Sequence, residues 1–421
     1  MSTKQATTAT EAPLSLEVTA DLLTRWATDP SGPVALHMKQ KLLPVTAQAD
    51  EPGIIYPPTY ANIGYNIDTL SDNKRVALID SVGSQANRME PIFKQKFPEA
   101  GTTGASSWLV PQIEIVLHEE KSKKQDKGSD RPHQEKRSLM DLAHRSADAV
   151  VQSCPTLRSQ FDAAFEALRQ RGDAGPLCML APTSLVFGVW DSRGGSGEKR
   201  PRLVRSIIRA WDVDVLHAAA QFNSVWKALN EGQQDALEKE AKAKKIKRSA
   251  RGFADAPAIF RPVSQAAATH MHEYKNGSPN PERRVLGGVL VRDRIEREVT
   301  VNLLALRNVR GATPEETANI QKYLLGLALL AATHEIDLFL REGCHLRYAS
   351  TEDDWYAVPR RGATAKVNLG SKSAHATILQ FTLDAAKLFR EKWPKELEHK
   401  FDLAEAKKLL AKKDEDTSDE E

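Results

Sequence analysis

The sequence predicts an α+β fold, because strand patterns alternate with helix patterns and polar stretches of unequal length separate them. Residues 75–80 form a short apolar strand, and apolar and polar residues alternate over 111–118 as in a half-buried strand. A long helix is predicted over 313–343. These elements do not recur at regular spacing, so we predict a core with insertions rather than a doubly wound sheet.

Three strands and two helix starts are predicted before residue 220. Strand 75–80 leads into Ser-Val-Gly-Ser at 81–84, a turn that predicts the start of a helix. Ser138 predicts the cap of a second helix with an apolar stripe. Residues 184–190 are a continuous apolar run of strand length. Residues 203–213 remain ambiguous between helix and strand.

The second half contains the clearest helix signals. Thr313 caps the long helix, Pro314 takes its first position, Glu316 completes a capping box, and Gly343 ends it. Before it, apolar residues alternate over 299–305 as in a strand. An acidic and then basic helix is predicted over 231–251.

These elements divide the chain into successive regions. We predict an irregular N-terminal extension (1–74) and a first part of the core (75–220) that contains a glycine- and arginine-rich loop (191–202). An insertion (221–285), a completing part of the core that carries the long helix (286–400) and an acidic tail (401–421) follow.

Composition indicates a soluble chain without a disulfide framework. Of the 421 residues, 41% are hydrophobic and 27% are charged, close to globular averages. The longest apolar run, 323–332, is shorter than the roughly 20 residues of a membrane-spanning helix. Residues 1–13 lack the apolar block of a signal sequence, so we expect a cytoplasmic protein. The three cysteines are widely separated, and we predict reduced core residues, with no metal and no cofactor.

The charge distribution favours a polyanionic partner. The formal net charge is +3, although six of the last eight residues are acidic. Without those six charges the other residues would carry +9. A basic body with an acidic tail is compatible with nucleic-acid binding.

The segment 191–209 is the first candidate phosphate site. A loop with two adjacent glycines allows backbone N–H groups to approach a phosphate, and arginines add bidentate contacts. The alternative is a solvated loop. The candidate RNA-binding residues of this segment are Ser192, Arg193, Lys199, Arg200, Arg202 and Arg205.

The helix start at 81–84 is the second candidate, since a helix N-terminus presents N–H groups without intrahelical partners. Its alternative is ordinary capping by Ser81 or Ser84. The candidate RNA-binding residues here are Ser84, Gln85, Asn87 and Arg88, and we add His144 and Arg145 at the polar edge of their predicted helix.

Two weaker signals favour ordinary surface structure. The run of Lys242, Lys244, Lys245, Lys247, Arg248 and Arg251 contains no acid, but such runs are usually solvated helix faces. His270 and His272 are two residues apart, which by itself is a weak signal of a metal site.

Four separated segments resemble one known family. They are ALIDSVGSQANRME at 77–90, HRSADA at 144–149, SLVFGVWDS at 184–192, and PRLVRS at 201–206 with Asp212-Val213. The family is the RAMP-type backbone subunit, the Cas-seven group of the Csb-one type, of the subtype I-G (formerly I-U) CRISPR–Cas effector complex. The resemblance extends from about residue 75 to residue 348.

This resemblance implies a modified RRM-like (ferredoxin-like) core with insertions. It also implies a non-catalytic subunit that polymerises head-to-tail along CRISPR RNA and presents the guide for pairing with target DNA. The implied partners are further copies of the chain, a large subunit and a crRNA-processing subunit, without a membrane.

Two alternatives remain open at this point. A metal-independent RAMP-family endoribonuclease would use His144 as a general base, with Asp191 or Asp212 as the supporting carboxylate. A generic basic RNA or DNA binder outside CRISPR is the other alternative.

Overall fold

The structure is a computed structural model that describes residues 15–48, 51–60, 63–99, 104–119, 134–190, 199–217, 225–246, 253, 274–275, 278–279, 286–351 and 353–411. Helices and strands mix throughout, and all strands of the large sheet pair antiparallel where they are adjacent. The predicted α+β class is therefore confirmed. No described helix is both long and apolar enough to cross a membrane.

The α-helices, in chain order, are α1 Ala20–Thr28, α2 Val82–Met89, α3 Ala149–Gln152, α4 Pro155–Arg171, α5 Gly175–Leu180, α6 Pro182–Phe187, α7 Glu231–Ala243, α8 Leu303–Arg307, α9 Pro314–Thr333, α10 Lys372–Arg390 and α11 Leu403–Ala411. Short 3₁₀ helices cover Glu90–Lys94, Leu139–Asp141, Arg145–Ala147 and Val225–Ala228.

The strands are β1 Ala35–Pro44, β2 Gly53–Ile55, β3 Thr59–Tyr60, β4 Gly64–Tyr65, β5 Ile67–Thr69, β6 Arg75–Asp80, β7 Phe97–Pro98, β8 Ser106–Ser107, β9 Glu114–Glu119, β10 Gln134–Ser138, β11 Val189–Trp190, β12 Lys199–Arg200, β13 Val204–His217, β14 Tyr274–Lys275, β15 Ser278–Pro279, β16 Leu286–Asn302, β17 Phe339–Arg341, β18 Cys344–Tyr348, β19 Trp355–Val358, β20 Ala365–Val367 and β21 Glu398–Lys400.

The main sheet has the order β17-β18-β1-β16-β13-β6-β5, with β2, β19 and β20 paired beside it. In a flat sheet β17 and β6 would lie about 24 Å apart, since neighbouring strands are separated by about 4.8 Å. Instead, Arg341 of β17 lies 3.7 Å from the carboxylate of Asp80 in β6. The sheet is therefore curled, and its two ends approach each other.

The core-facing residues of strand β13 change from even to odd numbers at Asp212. Val204, Ser206 and Ile208 are buried, while Arg205 between them is exposed. At Asp212 a bulge with φ of +54° shifts the pairing with β16. Beyond the bulge Val213 is buried, so the odd-numbered rather than the even-numbered residue points into the core.

The core lies between this sheet and a helical layer centred on α9. Helix α9 is apolar on nearly all sides and packs against α1, α6 and α10 as well as β13 and β16. Tyr323 of α9 stacks on Phe389 of α10 with ring centroids 5.0 Å apart. The three cysteines are buried and free, as predicted, and burial raises the pKa of Cys154 and of Cys344 to about 11.

The N-terminal region differs from the sequence-based prediction. The segment 1–74 is not wholly irregular, because β1 lies in the middle of the main sheet and pairs with β16, β18 and β19. Its partners come more than half a chain later in sequence, so no local pattern reveals them.

Four element predictions also require correction. Residues 184–190 belong to α6 and β11 rather than to one strand, and the strand predicted over 299–305 ends at Asn302, after which α8 begins. The segment left ambiguous, 203–213, lies in strand β13 from Val204 onward. The Ser138 segment continues as separate 3₁₀ turns. The long helix ends at Thr333 rather than Gly343, because the chain turns into the β17–β18 hairpin, in which Gly343 takes a φ of +74°. Strand β6 agrees with the predicted 75–80.

The contact between α9 and α10 predicts a sensitive glycine. A Cβ atom on Gly326 would lie 2.4 Å from Oγ1 and 3.0 Å from Cβ of Thr382. We expect Gly326→Ala to lower the free energy of unfolding by about 1–3 kcal/mol, because the helices must separate. Urea denaturation measures this change. Gly83→Ala is the control, since the nearest atom to its Cβ is 4.0 Å away, and a stability loss equal to that of Gly326→Ala would contradict the packing argument.

Candidate nucleic-acid interface

Two adjoining concave surfaces bring most of the predicted basic residues together. The first has a volume of about 260 Å³ and includes His144, Trp190, Lys199, Arg200 and Arg202 in its lining. The second, of about 380 Å³, is lined by Val82, Arg202, Arg205, Thr300 and Asn302. Arg202 lines both, so we treat the two as one surface, which we call the basic groove.

The hairpin of β11 and β12 forms one wall of the basic groove. Trp190 pairs with Lys199, and Val189 pairs with Arg200. Val189 is buried and anchors the hairpin to the core, whereas Trp190 is 59% exposed. The Lys199 ammonium lies 5.5 Å from the centroid of the indole ring. The connecting residues of this hairpin, with the predicted Ser192 and Arg193, lie outside the described residues.

Gly188 sets the position of Arg202. Its φ of +83° is unfavourable for other residues, and a Cβ atom there would lie 2.8 Å from Cγ of Arg202. The absence of a side chain at Gly188 therefore allows Arg202 to lie directly against the backbone that leads into Trp190.

The charge at Arg202 is not compensated within the described protein. Among the described residues, neither the Arg202 nor the Arg205 side chain has a hydrogen-bonding or ion-pair partner. Desolvation lowers the pKa of the Arg202 guanidinium, and the positive charge of Arg145 lowers it further. An anion in the basic groove would relieve both effects, and a phosphate offers oxygens for bidentate contacts.

Helix α2 brings its N-terminus to the same groove. Ser81 caps the helix, accepting a hydrogen bond of 3.2 Å from the N–H of Ser84, as the capping alternative predicted. Val82, the first residue of the helix, lines the groove beside Arg202 and Arg205. The positive end of the helix dipole therefore adds to the charge of the two arginines.

Two predicted RNA contacts have almost wholly buried side chains in this structure, although Arg145 also borders the first part of the basic groove. Gln85 is fully buried: it donates to Asp80 at 2.6 Å and accepts a hydrogen bond of 2.7 Å from Ser206. Arg145 is 4% exposed and forms a 2.6 Å ion pair with Glu90. Burial raises the pKa of Glu90, while the Arg145 charge opposes this rise.

Arg88 is also committed to the protein. Its Nε lies 3.0 Å from Oδ2 of the buried Asp80, and its Nη2 donates to the carbonyl of Leu340 at 2.9 Å. Asn87 is exposed but lines neither part of the basic groove. The structure thus brings His144, Lys199, Arg200, Arg202 and Arg205 together and assigns Gln85, Arg88 and Arg145 to internal networks.

Sequence reasoning missed Trp190 as a candidate. The signal that could have identified it is an aromatic residue immediately before a glycine-rich loop that is followed by basic residues. An apolar run of strand length predicts burial, and that pattern concealed its exposure.

The basic run in the predicted insertion behaves as a solvated helix face where it is described. Lys242 pairs with Glu238 at 3.1 Å, and Lys244, the residue after α7, pairs with Glu240 at 2.8 Å, both at i,i+4 spacing. Lys247, Arg248, Arg251, His270 and His272 lie outside the described residues. Within the described ranges, no three His, Cys, Asp or Glu side chains are grouped as metal ligands.

Comparison with known proteins places part of the chain in context. Residues 36–215 match the family described as "CRISPR-associated protein GSU0053", and this match supports a CRISPR-associated protein. No curated protein matches the chain. A solved structure described as "CRISPR RNA-guided surveillance complex, pre-nicking" is 12% identical with a TM-score of 0.30, over 90% of this chain and 99% of that chain. At that TM-score the similarity carries no argument.

The environment of Arg88 predicts a structural rather than an RNA-binding role. In Arg88→Glu a second carboxylate would face Asp80, which is 1% exposed, and the Leu340 carbonyl would lose its donor. We expect the free energy of unfolding to fall by about 1–3 kcal/mol. Arg205→Glu is the control, expected to change it by less than about 0.5 kcal/mol because Arg205 is exposed and has no described partner. Equal stability of the two variants in urea denaturation would refute this assignment.

Proposed function

We propose that the protein is a non-catalytic subunit that holds CRISPR guide RNA by its backbone along the basic groove. The family match over 36–215 supports a CRISPR-associated role, and this segment includes the basic residues that line the groove. In this proposal the chain is a Cas-seven, Csb-one-type subunit of a subtype I-G complex with an RRM-like core. The antiparallel sheet with α2 packed on β13 is compatible with such a core.

One observation carries the proposal: Arg202 and Arg205 line an open groove without an acidic partner in the described chain. Arginines that stabilise a fold are usually paired, as Arg88 and Arg145 are here. Unpaired arginines beside a helix N-terminus are suited to phosphate. Phosphate contacts fix an RNA strand in position without reading its sequence, which a subunit that accepts any guide requires.

The proposed role is positional. Several copies would bind successive stretches of one RNA and contact one another head-to-tail. The RNA bases would remain available to pair with target DNA, and a large subunit and a crRNA-processing subunit would complete the assembly in the cytoplasm.

Backbone binding predicts a steep salt dependence with little sequence preference. For single-stranded RNA the slope of log K against log salt should be about −0.7 per phosphate neutralised. Arg202→Gln and Arg205→Gln should each make the slope less steep by about 0.7 if each arginine contacts one phosphate. Fluorescence anisotropy with labelled RNAs of different sequence measures both quantities. A flat salt dependence, or a strong preference for one sequence, would contradict the proposal.

A charge-matched control separates the groove from general electrostatics. The double variant Arg202→Glu with Arg205→Glu should bind RNA far more weakly while melting near the wild-type temperature. Arg169→Glu with Arg171→Glu makes the same change of net charge on exposed residues at the end of α4. Equal losses of affinity in the two double variants would show that net charge, rather than the basic groove, governs binding.

The absence of catalysis is a separate prediction. Asp212 lies seven residues beyond Arg205 on β13, about 23 Å along an extended strand, which separates it from this residue of the groove. No described residue hydrogen-bonds to the imidazole of His144 to orient it as a base. We expect purified protein with Mg²⁺ to leave guide-like RNA and complementary RNA intact on denaturing gels. Cleavage that His144→Ala abolishes would instead favour the endoribonuclease alternative.

A further inference from the structure

Trp190 is a large exposed aromatic residue at the edge of the basic groove. Isolated exposed apolar side chains are common on protein surfaces and need no explanation. Trp190 differs because its surroundings are cationic: Lys199 lies over its indole ring, and Arg200 and Arg202 line the same concavity. A surface that combines one flat aromatic ring with several cations fits a nucleic acid better than an apolar protein segment.

The hairpin holds the indole in a defined place. Trp190 and Lys199 are direct partners in the β11–β12 pair, and Val189 beside Trp190 is 6% exposed. Two residues earlier, Gly188 contacts Arg202 closely enough to exclude a Cβ atom. The same short stretch of backbone therefore carries Trp190 and lies against the stem of the Arg202 side chain.

The size of this concavity suits one nucleotide. Its volume of about 260 Å³ lies just below the range of roughly 300–1,000 Å³ found for pockets that hold drug-sized ligands. It is open to solvent and continues through Arg202 into the second part of the groove, so a chain can pass through it.

We propose that Trp190 stacks on one base of the bound RNA while Arg202 holds a neighbouring phosphate. This inference rests on the proposed function and adds a second kind of contact to it. Stacking uses the flat face that all four bases share, so it adds affinity without sequence preference. The subunit would then recognise a nucleotide chain with bases, rather than any polyanion.

The experiment compares ordinary single-stranded RNA with abasic RNA of the same length, which retains ribose and phosphates but has no bases. Short RNAs and fluorescence anisotropy are used with the full chain. Wild type should bind the ordinary RNA about 5- to 100-fold more tightly than abasic RNA, and Trp190→Ala should remove most of this difference. Trp190→Phe should retain part of it. The salt slope should be unchanged in Trp190→Ala and less steep in Arg202→Gln.

Phe339→Ala is the matched control, because Phe339 is also an aromatic residue on a strand and is 54% exposed, outside the groove. It should keep the wild-type preference for RNA with bases. Thermal melting checks that each variant folds. We expect the Trp190 variants to fold, because the Trp190 side chain is exposed.

The outcomes separate this inference from the proposed function. If wild type binds ordinary and abasic RNA equally, stacking is refuted while backbone binding stands. If wild type binds neither RNA, both proposals fail. If Trp190→Ala binds short RNA normally but no longer forms larger assemblies on long RNA, Trp190 contacts a neighbouring subunit and the stacking inference is overturned.

Discussion

The buried carboxylate of Asp80 is the constraint on which the curled sheet depends. It is 1% exposed and lies within reach of Gln85, Arg88 and Arg341. A charge removed from water must be surrounded by donors and cations, and these come from β6, α2 and the far end of the sheet. The network continues through Gln85 to Arg297, which is itself 1% exposed and whose pKa burial lowers. These polar groups form a network through the interior. The network requires β6 and β17, which lie near opposite ends of the sheet, to approach each other.

The arginines of this protein have two different roles, one in the interior and one at the surface. Arg145 and Arg297 are buried, Arg88 is half-buried, and all three are hydrogen-bonded within the protein, so they help to set the geometry of the core. Arg202 and Arg205 lie at the surface, supported from below by buried neighbours on β13. A rigid strand beneath the arginines reduces the entropy lost when they bind a ligand, because only the ends of the side chains must be ordered. The interior network and the exposed groove share α2, which contributes Gln85 to one and Val82 to the other.

Local patterns in the sequence were sufficient for some elements and not for others. Strand β6, the capped start of α2 and the capped start of α9 were predicted correctly, because alternation and capping are decided by neighbouring residues. The basic residues after β12 were also identified locally. The contact of Arg88 with Leu340 could not be, since Leu340 lies 252 residues away. Likewise, the pairing of β1 with β16 depends on tertiary contacts, and the apolar run at 184–190 divides between α6 and β11, which an apolar run alone does not indicate.

The bulge at Asp212 has a consequence for how this chain can change in length. Up to the bulge even-numbered residues of β13 face the core, and beyond it the parity is reversed, which lets Asp214 reach Arg75 and Arg292 on the outer face. Losing or gaining one residue between Val204 and Trp211 would turn Arg205 inward and expose Ser206. Single insertions and deletions in that half of the strand should therefore be eliminated by selection, whereas the chain joining β11 to β12 can vary in length without inverting any face. Related proteins are expected to show constant spacing along β13 and variable spacing in that connection.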